Sequence, residues 1–178
     1  GSFLMFVDES SNIRKIDLAS MEETVLDFSG IWSSIKLSPD GCRLAATTVN
    51  ADSTIYVIDI EKPENSKAIP LYTASTEGVK SRTAIMADAL DWDAASTHIL
   101  YDAYHSLPVA GGAPIEFWDV NLLDVETGII TRIATPTDNG TQVGNPSFAE
   151  TNDRYIVCDM FSTIENRNSM VAIDLYTN

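Results

Sequence analysis

Hydrophobic positions along this chain fall in short runs rich in Val, Ile, Thr, Tyr and Phe, each bounded by clusters of Gly, Pro, Asn, Asp and Ser. The first group suits a pleated, half-buried surface and the second suits tight turns, so the pattern predicts strands. Almost nowhere do apolar residues recur with the spacing of an amphipathic helix over a full helical length. Several runs, among them Ile55-Tyr56-Val57-Ile58 and Ile156-Val157-Cys158, are apolar without alternation. A strand written that way implies a sheet covered on both faces, as blades stacked around an axis are.

The runs also repeat. A β-rich run, a gap and a second β-rich run ending near Asp-Leu or Asp-Ile occur four times. The first runs are 3–8 (FLMFVD), 43–49 (RLAATTV), 98–102 (HILYD) and 155–159 (YIVCD). The second runs are 13–18 (IRKIDL), 54–60 (TIYVIDI), 121–125 (NLLDV) and 170–175 (MVAIDL). Their closing aspartates, Asp17, Asp59, Asp124 and Asp174, stand 42, 65 and 50 residues apart, against roughly 40–45 for the blades of WD-type propellers. A further strand on each side of the pair makes four, the number in a blade. In the clearest unit these cover 31–37, 43–49, 54–60 and 68–73. Its turn Ser38-Pro39-Asp40-Gly41 has the composition of type I. The third unit reads 87–92, 98–102, 115–125 and 129–133, with turns at Asp93-Ala94-Ala95-Ser96 and Val125-Glu126-Thr127-Gly128 and an insertion over 105–114.

The fold expected is therefore all-β, built of β-propeller blades as four-stranded antiparallel sheets. Residues 1–178 form one segment, with blades at about 3–30 (partial), 31–79, 80–143 and 144–178 (partial). A β-sandwich also uses short strands but does not predict a repeated phrase. This register gives three, four, four and three strands, which points to an incomplete ring or a fragment of a larger propeller. Open blade edges would then favour self-association, including a half-ring that closes on a second copy.

The segment Ile35-Lys36-Leu37-Ser38-Pro39-Asp40-Gly41-Cys42-Arg43-Leu44-Ala45, followed by Ile55-Tyr56-Val57-Ile58-Asp59-Ile60, resembles the WD40-like repeat of TolB-type propellers. The other units are degenerate, with Asp93-Ala94-Ala95-Ser96 and Glu150-Thr151-Asn152-Asp153 in the turn position. The resemblance implies a propeller without fixing one activity, because such repeats serve Tol-system periplasmic proteins, prolyl-oligopeptidase-type peptidases and some carbohydrate-active enzymes. It also implies a periplasmic or secreted bacterial setting.

Charge narrows the partners. Eleven Lys plus Arg against 26 Asp plus Glu leave a net charge of −15, which repels nucleic acid and anionic membrane surfaces. No run is long and apolar enough for a transmembrane helix. The start lacks the pattern of a signal peptide, and Gly1-Ser2 has the look of a cloning scar. Cys42 and Cys158 fall in repeats that are not neighbours, so no disulfide is expected between them; both read as small buried apolar residues.

Three aspartates take equivalent places near the end of a second strand, Asp8, Asp102 and Asp159, with Thr47 in the matching place of the remaining unit. A ring of acceptors on the loop rim would suit a divalent cation such as calcium or a basic partner; alternatively, each carboxylate caps backbone N–H groups in its own loop. His105 opens the longest Gly- and Pro-rich insertion and is the foremost single candidate for binding, with an incidental surface histidine as the alternative. His98 reads as plain surface. Asp91-Trp92-Asp93 lacks the glycine and closing glutamate of a calcium loop. Asn139-Gly140-Thr141 is a glycosylation sequon, but Asp138-Asn139-Gly140 is also a strong turn. Trp32, Trp92 and Trp118 read as blade-to-blade packing, one of them alternatively as a platform for a sugar.

No nucleophile elbow, Walker loop or dinucleotide fingerprint occurs, so this chain is expected to be non-catalytic and to need no cofactor. The preferred function is a binding or scaffolding propeller of TolB-like type presenting its loops to a protein or peptide. The alternative is the accessory propeller of a prolyl-oligopeptidase-type hydrolase or of a metal-dependent polysaccharide lyase.

Overall fold

The computed structural model describes residues 2–76, 79–81, 84–136, 140–150 and 152–177. Strands β1 (Phe3–Val7), β2 (Ile13–Asp17) and β3 (Glu23–Asp27) form the first sheet. The second holds β4 (Trp32–Leu37), β5 (Arg43–Thr48), β6 (Thr54–Asp59) and β7 (Lys67–Pro70), with a 3-10 turn at Pro63–Asn65 before β7. A hairpin, β8 (Thr73–Thr76) and β9 (Val79–Ser81), leads to the third sheet: β10 (Ala84–Trp92), β11 (His98–Leu107), β12 (Ile115–Asp124) and β13 (Ile130–Ala134). The fourth consists of β14 (Thr141–Ala149), β15 (Asn152–Ser162) and β16 (Arg167–Asp174). Within each of the four sheets, strands neighbour one another in chain order and pair antiparallel. These are propeller blades.

The repeated aspartate has one structural meaning. In register, Asp17 faces Phe3, Asp59 faces Arg43, Asp124 faces His98 and Asp174 faces Tyr155, the same place in all four blades. There each carboxylate accepts backbone N–H groups of the turn that follows: Ala19 and Ser20, Glu61 and Lys62, Glu126 and Thr127, and Tyr176. The phrase seen in the sequence is thus a strand that ends by capping its own exit. The first turn of the second blade closes with the Gly41 N–H on Ser38 O at 2.8 Å, and Gly41 takes a φ of +76° that other residues resist.

Blades stack through apolar seams. Ile13, Trp32, Leu44 and Ala46 join the first to the second; Ile55, Leu71, Ile99, Tyr101 and Leu123 join the second to the third; Leu100, Val120, Val143 and Ile156 join the third to the fourth. Each fully buried Leu, Ile or Val contributes about 1.5–3 kcal/mol over leaving it exposed. Polar bonds fix the stacking angle. Trp92 Nε1 donates to Lys36 O at 2.9 Å and Trp32 Nε1 to Asp27 Oδ1 at 3.0 Å. Asp91 receives Lys36 Nζ at 3.1 Å from the second blade, and Ser147 Oγ at 3.0 Å and Phe148 N at 2.9 Å from the fourth.

Two expectations need correction. Strand β11 runs on to Leu107, so the inserted loop begins after His105, which lies inside the sheet. Cys42 is exposed at its turn, while Cys158 is buried as expected; both are free thiols. The hairpin β8–β9 was not anticipated. The turn expected at 138–140 lies outside the described residues apart from Gly140.

Candidate functional site

A rim cavity lies between the third and fourth blades, where β10 and β14 begin and β11 and β15 end. It measures about 450 Å³ and is walled by Asp88, Asp102 and Trp118 on one side and by Gln142 to Asn145, Asp159, Phe161 and Asn168 on the other.

Asp102 forms its floor. Its side chain points from β11 toward the fourth blade, only 4% exposed, with Oδ1 taking Ala89 N and Oδ2 taking Asn145 N, each at 2.8 Å. Both donors sit at bulges, where the backbone N–H has left its ladder and needs another acceptor. Burial pushes the Asp102 carboxyl above its ordinary range, while the two N–H groups pull the other way. Gly144 makes the approach feasible: a Cβ there would lie 2.9 Å from Asp102 Oδ2. Asn145 follows with φ +50°, a conformation asparagine tolerates better than most residues, and its Nδ2 donates to Asp159 Oδ2 at 3.2 Å. Gln142 Oε1 accepts the Trp118 backbone N–H at 2.7 Å across the blade boundary, and the Tyr104 ring lies 5.3 Å from that of Trp118. The aromatic wall is therefore held before any ligand arrives.

Of the sequence candidates, the cavity brings Asp102 and Asp159 together. Asp8 stands apart in the first blade, where it caps Ser10 and Asn12 N–H and pairs with Arg14. Those bonds, the Asn12 N–H foremost, hold its carboxyl down to about 2. Thr47 is buried in β5 and lines no part of the cavity. The ring of equivalent acceptors is thus resolved into one turn cap, one buried staple and one rim carboxylate. Among the described residues, no group of three or more His, Cys, Asp or Glu side chains is placed to hold a metal ion.

His105 is 1% exposed, the reverse of a rim ligand. It stacks on Phe117 at 4.8 Å, and its Nε2 lies 2.8 Å from Asp119 Oδ1, which also accepts Asn121 Nδ2 at 2.6 Å. Asp119 is fully buried, with Arg132 Nε 3.6 Å from its other oxygen. This cluster faces the second blade and belongs to the seam. His98 is anchored by Asp93 Oδ2 at 3.0 Å and is partly exposed on the opposite rim.

Sequence reasoning missed Asp88, Gln142, Asn145, Asn168 and Asp119. Only Gly144-Asn145-Pro146 carried a usable signal, since a Gly and a Pro inside a strand mark a bulge.

No family model matches the chain, and no curated protein matches its sequence. Solved structures do match the fold. Oligogalacturonate lyase in complex with manganese superposes with a TM-score of 0.63 at 13% identity, over 94% of this chain and 48% of its own. An auxiliary nutrient binding protein from Bacteroides thetaiotaomicron gives 0.57 at 14% identity, over 96% and 38%. The Pyrococcus horikoshii acylaminoacyl peptidase gives 0.56 at 12% identity, over 96% and 30%. The fold is that of propeller blades. At such identities the likeness carries no activity with it, and the chain spans less than half the length of each of these proteins.

Proposed function

We propose that this chain is a binding segment of a propeller, of TolB-like type and exported, which takes a protein or peptide partner in the cleft between its third and fourth blades. The observation that carries the reading is the cleft itself. It is a preformed concavity with an aromatic wall, amides that offer both donors and acceptors, and two rim carboxylates, Asp88 and Asp159.

The test is to pan a displayed peptide library on the immobilised chain and measure the enriched sequences by calorimetry. The cleft reading expects an Asp88→Asn, Trp118→Leu, Asp159→Asn triple variant, folded by circular dichroism, to lose binding at least roughly tenfold. Undiminished binding to the triple variant would move the partner elsewhere. The rival, an accessory propeller of a hydrolase or lyase, draws on the lyase and the peptidase among the similar structures. A G-x-S-x-G segment encoded next to this chain would favour it.

A further inference from the structure

The cleft has a property that the fold does not require. Among the described residues, its lining carries Asp88, Asp102 and Asp159 and no Lys, Arg or His. Asp102 has both oxygens committed to backbone N–H groups. Asp159 commits one oxygen to Asn145 and keeps the other, and Asp88 is exposed. Two rim carboxylates with open lone pairs thus face a space that no described Lys, Arg or His lines. Of a different kind are the walls, Trp118 and Phe161. Trp118 is fixed through Gln142 and Tyr104, and Phe161 remains 37% exposed beside the cleft.

Flat aromatic faces next to unpaired carboxylates select a flat cation. A guanidinium stacks on indole and phenyl rings while its N–H fork reaches carboxylate oxygens, whereas an ammonium offers only a point charge. A divalent metal is a poorer occupant, because among the described residues no group of three or more His, Cys, Asp or Glu side chains is placed to hold one, and Asp102 is buried with each oxygen already accepting a backbone N–H. We propose that the cleft receives an arginine side chain of the partner, stacked against Trp118 and bonded to Asp88 and Asp159. This rests on the binding reading above and narrows it to one residue type. It also opposes an acidic polymer such as a galacturonate chain as occupant, since the lining would repel it.

The experiment is an NMR titration of the isotope-labelled chain with N-acetyl-arginine amide, N-acetyl-lysine amide and N-acetyl-citrulline amide, the last being the uncharged near-isostere. Arginine is expected to shift the Trp118 indole and the Gly144 and Asn145 amides, with citrulline weaker by roughly tenfold and lysine intermediate. Asp159→Asn and Asp88→Asn should each cost arginine several-fold and leave citrulline unchanged, with signals of the first two blades reporting that the variants remain folded. Equal binding of arginine and citrulline, or of arginine and lysine, would overturn the assignment. If panned peptides occupy the cleft but carry no arginine, this inference fails and the binding reading stands. If neither peptides nor amides perturb the cleft, both fail.

Discussion

Gly144→Ala tests the close approach of β14 to Asp102. The added methyl would lie 2.9 Å from Asp102 Oδ2 and 3.7 Å from its Cγ, inside the separation at which carbon and oxygen repel. The carboxylate has little room to retreat, because its oxygens hold Ala89 N and Asn145 N at 2.8 Å from opposite sides. Gly144 does not occupy the left-handed region, so alanine is permitted by the backbone and should gain about 0.4–1 kcal/mol from a stiffer unfolded chain. Overpacking a tight site costs about 1–3 kcal/mol, and losing a bond to one buried N–H costs about 1–3 kcal/mol more. The net expectation is a loss of about 2–4 kcal/mol, read as a lower urea midpoint at unchanged slope. The decisive comparison is the same substitution in an Asp102→Ala background. There the methyl meets no carboxylate, so Gly144→Ala should become nearly neutral or stabilising, a coupling of about 2 kcal/mol. A cost that is the same in both backgrounds would refute the steric account.

Two other predictions concern charge. Asp119→Ala removes the buried acceptor shared by His105 Nε2 and Asn121 Nδ2 and should lower stability by about 3 kcal/mol, whereas His105 and Asp119 variants that stay folded should bind cleft ligands normally in calorimetry; a selective loss of binding would return His105 to the rim. On acidification, Asp8 and Asp174, both held at about 2 against an ordinary 3.8, contribute stability that is full above pH 3.8 and lost as the pH falls toward 2. Asp102 acts with the opposite sign: its raised carboxyl binds the proton more tightly in the folded chain, so acidification through that raised value favours folding until the other two titrate. Urea midpoints measured against pH should show Asp8→Asn flattening the acid limb; an unchanged limb would contradict the assignment.

How far the sequence reaches can be seen residue by residue. The second blade was legible almost strand for strand, because Ser38-Pro39-Asp40-Gly41 states its turn and the flanking runs have no competing period. The four closing aspartates were legible as a repeat, though their capping role needed the register. His105 was misplaced for a specific reason: Asp102 reads as a strand breaker, yet here it satisfies two bulged N–H groups and the strand continues beyond it. The alternation Ile99, Tyr101, Ala103, His105 along one face was the signal that outweighed it. The cleft was half legible, since Asp102 and Asp159 were flagged from one equivalence, but their neighbours come from four other strands whose meeting no local pattern encodes.

Asp91 bears on how the molecule comes apart. Arrays whose units touch only their neighbours can peel from one end, each unit leaving without the next-but-one sensing it. Here one carboxylate holds Lys36 of the second blade and Ser147 and Phe148 of the fourth. Detaching the fourth blade therefore strips two of the three partners from a carboxylate that the second blade also uses, so loss of the last blade should be felt two blades away as a weaker seam between the second and third.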